Sequence, residues 1–266
     1  MAAMLESNKT KIAKRVIEVF DYFDAESRSA TVMDIVRRYN RPQSSTSELL
    51  ASLVEMGLLY KDAASRSYSP TPRLATLGSS AQPELLRGGR LYCFMDRLAQ
   101  STRYGVALFG MVGTHVQIFR WSPGLEPLTK GIEGGASTLL SSSAAGLLLL
   151  SSLGAERARK TLWRLNAEAD TDAKFDHAAM GEWVRELVYQ RHATGDAGFV
   201  AEAKVTSVLL PRQGDERALA LGVIYPSQVN MDAEALLATL NHGIAQSALQ
   251  VDETSPVMPT PLVRAV

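Results

Sequence analysis

Cysteine and histidine are scarce in this sequence. Cys93 is the single cysteine among 266 residues, which excludes an internal disulfide framework. The four histidines, His115, His177, His192 and His242, are scattered along the chain, without partners at the spacing of a zinc site. We therefore expect neither a disulfide-stabilised secreted domain nor a bound metal ion.

Long apolar runs and catalytic motifs are also missing. The longest apolar run, at 144–150, is shorter than the roughly 18 residues that a membrane-spanning helix needs, and no signal-peptide pattern opens the chain. The sequence contains no G-x-G-x-x-G cofactor loop and no G-x-S-x-G nucleophile turn. These absences predict a cytoplasmic protein that is not an enzyme and needs no cofactor.

Neither sign of charge is in excess, because 28 basic residues balance 28 acidic residues. The first 80 residues are slightly basic and the remainder is slightly acidic, which is a weak indication of nucleic-acid contact near the N-terminus. With 46 % hydrophobic residues, the chain is long enough to form two small domains, each with its own core.

A helical pattern is present in the segment 41–60. Its apolar residues recur at spacings of three and four, which predicts one buried helix face. These apolar residues are Leu49, Leu50, Leu53, Val54 and Met56. Pro42 suits the first turn of such a helix, and Gly57 suits a left-handed exit from it. Taken alone, the pattern is that of any amphipathic surface helix.

The neighbouring segments give this helix a context. An apolar stripe at 12–23 predicts a first helix, and a capping box of Thr31 and Asp34 opens a second, which ends near Asn40. After the third helix, the short strand-like runs LLYKD and RSYSP flank a polar tip at 63–65. Three helices and a hairpin indicate a winged helix-turn-helix, in which the third helix enters the major groove of DNA.

The segment from Thr31 to Gly78 resembles the DNA-binding domain of IclR-type transcriptional regulators. A proline, a Ser-Thr pair, a double leucine, a glycine turn and a tyrosine-bearing wing follow one another in the order typical of that family. The run YSPTPRLATLG, at the end of the wing, is particular to it. The resemblance implies that the N-terminal domain binds DNA.

Two sets of residues are candidates for DNA contact. Phosphate contacts are expected from basic residues beside the third helix and the wing tip, namely Arg38, Arg41, Lys61 and Arg66. Base contacts are expected from polar residues at the start of the third helix, namely Gln43, Ser44, Ser45 and Thr46. Glu48 stands where family members often carry a basic residue, and it would repel phosphate. A solvated surface role is the alternative for each basic residue.

After residue 80 the pattern becomes rich in strands. A linker helix with a break at Gly88 and Gly89 is expected first, and a last amphipathic helix begins at Met231. Strands are expected at 104–111, 114–121, 125–132, 204–211 and 217–225, with two long helices in the middle. This order indicates an α+β domain with a central antiparallel sheet and helices on its faces.

This second pattern resembles the GAF-like effector-binding domain of the same family. The segment GLLLLSSLGAERARKTL is similar to its first helical pair, and the segment from Gly198 to Gln228 is similar to its closing hairpin. We therefore predict a winged helix-turn-helix domain at 1–80, a linker helix at 81–102, a GAF-like domain at 103–251 and a flexible tail at 252–266.

The resemblance implies a pocket for a small organic acid between sheet and helices. The loop GIEGGASTLLSSSAAG suits it, because glycines allow close backbone approach and a helix start offers amides to an anion. Helix capping is the alternative role of its serines. The expected lining is Gly134, Gly135, Ala136, Ser142, Ser143, Asp196, Val205, Thr206, Gly222 and Ile224. Because apolar residues replace polar anchors of the family here, we expect a largely apolar or aromatic acid.

Together these features predict a ligand-responsive transcriptional regulator that controls a neighbouring catabolic pathway. Its expected partners are a double-stranded DNA operator, a small-molecule effector and further copies of itself, in a homodimer or tetramer, with no membrane partner. A winged helix that binds protein or dimerises without binding DNA is the alternative, favoured by the zero net charge and Glu48. Some methyltransferases use a winged helix only to dimerise, but this sequence lacks their glycine-rich cofactor loop.

Overall fold

The computed structural model describes residues 8–23, 27–126 and 132–249. The chain divides into two compact units, Met1–Gln82 and Pro83–Val266. The predicted tail at 252–266 and most of the predicted strand at 125–132 lie outside the described residues. None of the described helices is long and apolar enough to cross a membrane.

The first unit has the predicted order of three helices and a hairpin. Its elements are α1 (Asn8–Asp21), α2 (Val32–Tyr39), α3 (Gln43–Glu55), β1 (Leu59–Lys61), β2 (Tyr68–Pro70) and α4 (Arg73–Ser79). Their shared core is Val19, Ala30, Ile35, Leu50, Leu53, Leu59 and Tyr68. Ile12, which belonged to the predicted apolar stripe, is instead 59 % exposed. The winged helix-turn-helix prediction is confirmed.

The turn between α2 and α3 follows from local hydrogen bonds. Thr31 and Asp34 form the predicted capping box, in which the Asp34 N–H donates to the Thr31 hydroxyl and the Thr31 N–H donates to the Asp34 carboxylate. Asn40 ends the helix in a left-handed conformation, with φ of 50°. These two caps fix where α2 begins and ends, and so where α3 can start.

The exit of α3 is a glycine cap of the kind that the sequence predicted. The Leu58 N–H donates to the Leu53 carbonyl at 2.9 Å, and the Gly57 N–H donates to the Val54 carbonyl at 2.9 Å, which is the Schellman pattern. Gly57 has a φ of +71°, a conformation that residues with a Cβ rarely adopt. The chain is thereby directed from α3 into β1.

The hairpin is the predicted wing. Tyr60 lies opposite Ser69, and the strands are antiparallel. Ala30, just before α2, exchanges two backbone hydrogen bonds with Tyr68, which joins the helical part to the wing. The Thr71 hydroxyl donates to the Gly57 carbonyl at 2.6 Å and closes the base of the hairpin.

The second unit is a six-stranded antiparallel sheet with helices on both faces. Its elements are α5 (Glu84–Arg87), α6 (Arg90–Thr102), β3 (Gly105–Val112), β4 (His115–Ser122), β5 (Ser137–Leu139), α7 (Ala144–Ser151), α8 (Ala155–Glu168), α9 (His177–Gln190), β6 (His192–Asp196), β7 (Ala203–Leu209), β8 (Leu219–Pro226) and α10 (Ala233–Leu249). The strand order is β5-β4-β3-β8-β7-β6. The sequence did not predict β5 and β6, the two edge strands. The α+β prediction is confirmed.

The two faces of the sheet have separate cores. One face packs against α7, α8 and α9, and its core includes Phe109, Ile118, Val205 and Ile224. The other face packs against α6 and α10, and its core includes Leu108, Val208, Leu221 and Tyr225. The predicted linker helix is therefore an integral part of the second unit, because α6 buries Leu91, Met95, Leu98 and Ala99 there. All eight residues of α7 are buried.

We expect Asp34→Ala to lower the free energy of unfolding of the first unit by about 1 kcal/mol at neutral pH, because it removes the acceptor of the capping box. Hydrogen bonds from the N–H and the hydroxyl of Thr31 hold the pKa of Asp34 below its ordinary value. A lowered folded-state pKa gives stability that is present above the unfolded-state pKa and is lost as the pH falls through the folded-state pKa.

The stability difference between wild type and Asp34→Ala should therefore shrink in acid. Chemical denaturation across a pH series measures it. Ser52→Ala, at an exposed position within α3, is the control and should change stability by less than about 0.5 kcal/mol. A difference that stays constant down to the lowest pH would contradict this account of the capping box.

Candidate functional site

The exposed face of α3 carries amide, hydroxyl and carboxylate side chains. Gln43, Ser44, Ser47 and Glu48 are exposed in the first two turns, and Glu55 is exposed in the last. Leu50 and Leu53 are fully buried on the opposite face. The surface that α3 offers to a partner is thus hydroxyl, amide and carboxylate, without a basic residue.

Two of the predicted base-contacting residues do not belong to this face. Thr46 is 1 % exposed and its hydroxyl donates to the Pro42 carbonyl at 2.8 Å, so it is a core residue and not a base-contacting one. Ser45 is half-buried against α1, where it accepts a hydrogen bond from Arg15 at 3.2 Å. Helical spacing explains the burial of Thr46, because 46, 50 and 53 lie on one side of the helix.

Arg41 has an internal partner, which the phosphate prediction did not foresee. Its guanidinium makes two hydrogen bonds to the Glu18 carboxylate of α1, from Nε to Oε2 at 3.1 Å and from the terminal nitrogen to Oε1 at 2.5 Å. The Glu18 side chain is only 15 % exposed. This planar two-point contact ties α1 to the turn before α3. Sequence alone could not find Glu18, since 23 residues separate the pair.

The other three predicted phosphate contacts remain on the surface. Arg38 is exposed near the end of α2, and Lys61 is exposed on β1 with its ammonium 5.7 Å from the centre of the Tyr68 ring. Arg66 is exposed at the wing tip with a φ of +56°. Asp62 shapes that tip: its carboxylate accepts from the Ser65 N–H at 2.8 Å, which lowers the pKa of Asp62.

The predicted effector residues on the strands are divided between the two faces of the sheet. Val205 and Ile224 lie on the α7 face. Gly222 is two residues before Ile224 on β8 and therefore faces the same side of the sheet. Thr206 points to the other face, where its hydroxyl lies 2.9 Å from the Tyr225 hydroxyl and 3.0 Å from that of Thr194. Thr206 therefore cannot line a pocket on the α7 face. Asp196 is exposed at the end of β6.

The glycine loop before β5 uses its amides internally. The Gly135 N–H donates to the Ile118 carbonyl at 2.7 Å, and the Ala136 N–H donates to the Glu133 carbonyl at 3.2 Å. These two amides are thus not available to an anion, contrary to the prediction. Gly134 and Gly135 are exposed, and Ala136 is half-buried.

Among the predicted effector residues, those at the start of α7 have the properties of a ligand-binding site. Ser142 is exposed, whereas Ser143 is 1 % exposed at the helix N-cap. The Ser143 hydroxyl oxygen is buried without a hydrogen-bond partner among the described residues. A buried hydroxyl in that state is costly unless a ligand or water satisfies it. The alternative role of these serines, side-chain capping of the helix, is not what the geometry shows.

The loop after β6 closes over this helix start. A Cβ atom on Gly198 would lie 2.4 Å from the Ser142 carbonyl oxygen, so only glycine allows the approach. The next residue, Phe199, stacks on Phe109 of β3 with ring centres 5.9 Å apart. Neither aromatic ring was among the effector residues predicted from sequence. For Phe199, the available signal was a glycine followed by an aromatic residue shortly before the predicted strand at 204–211.

No group of three or more histidine, cysteine, aspartate or glutamate side chains that could hold a metal ion occurs within residues 8–23, 27–126 and 132–249. The candidate sites are therefore the exposed face of α3 with the wing, and the start of α7 with the strand residues and aromatic rings beside it.

Comparison with known proteins finds a family match within the first unit. Residues 13–63 match the model of the IclR helix-turn-helix domain. Among curated proteins none matches the chain.

Solved structures share the fold of the chain at low sequence identity. The IclR transcriptional regulator from Alicyclobacillus acidocaldarius is 17 % identical with a TM-score of 0.59, over 92 % of this chain and 99 % of that one. An IclR homologue from Microbacterium hydrocarbonoxydans, complexed with 4-hydroxybenzoate, is 19 % identical with a TM-score of 0.58, over 91 % and 100 %. The effector domain of an IclR regulator from Acinetobacter sp. ADP1 is 19 % identical with a TM-score of 0.54, over 60 % and 94 %.

We expect Arg41→Ala to destabilise the first unit by about 1 kcal/mol, because it leaves the largely buried Glu18 carboxylate without its partner. A double-mutant cycle with Glu18→Gln, followed by chemical denaturation, measures the coupling. Lys14→Ala, an exposed position on α1, is the control and should be neutral. Equal effects of Arg41→Ala in the wild-type and Glu18→Gln backgrounds would show that the pair does not stabilise the unit.

Proposed function

We propose that this chain, which carries an IclR-type helix-turn-helix domain and has the fold of IclR-type regulators, is a ligand-responsive DNA-binding transcriptional regulator. The observation that carries the proposal is the match over residues 13–63. That segment contains three helices and the first strand of the wing, with a polar face of α3 exposed. The regulator would act in the cytoplasm on a double-stranded operator and control neighbouring catabolic genes.

In this proposal α3 enters the major groove. Gln43, Ser44 and Ser47 supply amide and hydroxyl groups that hydrogen-bond to base edges. Glu48 accepts from a base amino group, such as the N4 of cytosine. Arg38, Lys61 and Arg66 supply the phosphate contacts, since all three are exposed cations beside α3 or on the wing.

A homodimer is proposed because one α3 reads only a few base pairs. Two copies bind two half-sites one helical turn apart, and the operator then has the two-fold symmetry of the dimer. A tetramer is two such dimers.

One observation favours a second candidate function, a winged helix that binds protein. The exposed face of α3 carries the carboxylates of Glu48 and Glu55 and no basic residue. A gel shift with the intergenic DNA beside the gene of this protein separates the two functions. Binding that excess unrelated DNA does not displace supports the regulator, and no binding at low salt supports the protein-interaction module.

The effector is proposed to be a small acid with a largely apolar or aromatic body, bound at the start of α7. The unpartnered hydroxyl of Ser143 provides a donor for one carboxylate oxygen. Val205, Ile224 and the ring of Phe109 form apolar walls on the same face of the sheet. The Microbacterium homologue solved with 4-hydroxybenzoate supports an acid of this class.

We expect Arg38→Ala, Lys61→Ala and Arg66→Ala each to weaken binding to operator and unrelated DNA by the same factor. Each should also flatten the plot of log K against log salt concentration by about 0.9, because one phosphate contact and its released counterion are lost. Fluorescence anisotropy at several salt concentrations gives the slopes. Lys160→Ala, an exposed lysine of the second unit, is the matched control. Unchanged slopes for all three variants would remove these residues from the interface.

We expect aromatic acids such as 4-hydroxybenzoate to raise the melting temperature at concentrations where glyoxylate and pyruvate do not, because binding to the folded state alone stabilises it. Ser143→Ala should weaken this binding about tenfold or more, since a hydrogen bond to a charged group is lost. The free variant should be at least as stable as wild type, because a buried unpaired hydroxyl is removed.

The exposed neighbour gives the control: Ser142→Ala should leave affinity and stability unchanged. Thermal shift and calorimetric titration measure both quantities. A response to the short polar acids only, or an unchanged affinity in Ser143→Ala, would place the effector elsewhere.

A further inference from the structure

Two neighbouring grooves run over the surface of the second unit. The larger, of about 550 Å³, lies between α8 and α9. The smaller, of about 250 Å³, lies between the end of α9 and the segment after β7. Ser151, Gly154 and Val188 line both, so the grooves join there. The larger groove alone has the volume of an ordinary small-molecule site.

The floor of the larger groove is apolar and well packed. Ala158 and Leu162 of α8 and Val184 of α9 are between 1 % and 4 % exposed. Gly181 lines the groove at mid-helix, and a Cβ atom there would meet nothing within 4 Å. The missing side chain of Gly181 therefore leaves open space on the α9 side, where an ordinary helix residue would fill it.

Arginine side chains line both grooves. Arg159 and Arg185 line the larger groove, and Arg191 and Arg212 line the smaller one. Arg185 pairs with Glu182 at 3.2 Å. In the part of the chain that the structure describes, the guanidinium groups of Arg159, Arg191 and Arg212 make no hydrogen bond or ion pair.

Acidic groups do not balance these arginines. Glu156 is the acidic residue in the lining, and its carboxylate already pairs with Lys160 at 2.7 Å. Three unpaired guanidinium groups along the joined grooves attract an anion, and a guanidinium presents a planar pair of donors that matches a carboxylate or a sulfonate.

We propose that the joined grooves form a binding site for an amphipathic organic anion, separate from the effector site at the start of α7. Its apolar body lies on the floor formed by Ala158, Leu162 and Val184. Its acidic group is attracted by Arg159 in the larger groove and by Arg191 and Arg212 in the smaller one. This site goes beyond the proposed regulatory function. Because binding at it needs no DNA, evidence against the anion site would not count against the regulatory function, and the reverse also holds.

The probe for a test with the full-length chain is 8-anilinonaphthalene-1-sulfonate, a sulfonate on an apolar aromatic body whose fluorescence rises in apolar surroundings. Titration gives its affinity for wild type and variants in the absence of DNA. Gly181→Leu should weaken binding about tenfold or more, because the new side chain occupies the groove. The same variant should melt at a higher temperature, since leucine favours a helix more than glycine does.

Ala179→Leu is the control for bulk, because Ala179 is exposed on α9 outside the groove lining. The charge test is the triple variant Arg159→Gln, Arg191→Gln and Arg212→Gln, whose positions are all exposed, so folding does not depend on them. It should also bind the probe about tenfold more weakly and lose most of the salt dependence. Arg164→Gln, on α8 outside the groove, is its control and should bind like wild type.

The proposal is tested by which variants bind the probe more weakly than wild type. Weaker binding in both test variants, with both controls unchanged, establishes the site. Affinity within about twofold of wild type in Gly181→Leu or in the triple variant overturns it. Equal loss in Ala179→Leu or Arg164→Gln also overturns it, because the probe would then respond to the general surface and not to the groove.

Discussion

The second unit is organised by a helix that has no exposed face. All eight residues of α7 are buried, so protein must surround it on every side. The sheet covers one side through β6, β7 and β8, and α8 and α9 cover the outside. A helix that is apolar all round can be stable only in such a position. The antiparallel sheet and the outer helix pair are thus two walls of the same core.

Both sites proposed above lie beside the ends of α7. At its N-terminus the Ser143 hydroxyl is buried without a hydrogen-bond partner among the described residues. The loop after β6 covers this end, because Gly198 permits backbone contact and Phe199 stacks on Phe109. At its C-terminus α7 turns into α8 at Gly154, where the outer grooves join. The proposed effector site and the proposed anion site therefore lie at opposite ends of one helix.

Local features of the first unit were predictable from sequence, and long-range contacts were not. The capping box of α2 and the glycine cap of α3 depend on residues within a few positions, so pattern alone located them. The contact of Arg41 with Glu18 joins residues 23 positions apart, which no local pattern records. The burial of Thr46 and the face of Thr206 follow from helical spacing and strand parity, but only once the core side of each element is known.

The second unit shows the same division between local and long-range information. The long strands β3, β4, β7 and β8 are apolar runs bounded by turn residues, so the sequence predicted them. The edge strands β5 and β6 are short: β5 spans Ser137–Leu139, and β6 has the polar sequence HATGD. Their strand state comes from pairing with β4 and β7, not from their own composition. The Gly135 amide in the loop before β5 likewise pairs with the Ile118 carbonyl of β4 only once the sheet has formed.

The charge of α3 has a consequence for how the proposed regulator chooses its site. An exposed carboxylate such as Glu48 is repelled by the DNA phosphates, because both groups carry negative charge. It therefore opposes entry of α3 into any groove. The opposition is offset only where a base presents an amino group to the carboxylate. Non-operator DNA then meets repulsion from Glu48 and attraction from a small number of surface cations. Discrimination therefore arises from weak non-specific binding as much as from strong specific contacts, which is how a chain of zero net charge can select a DNA sequence.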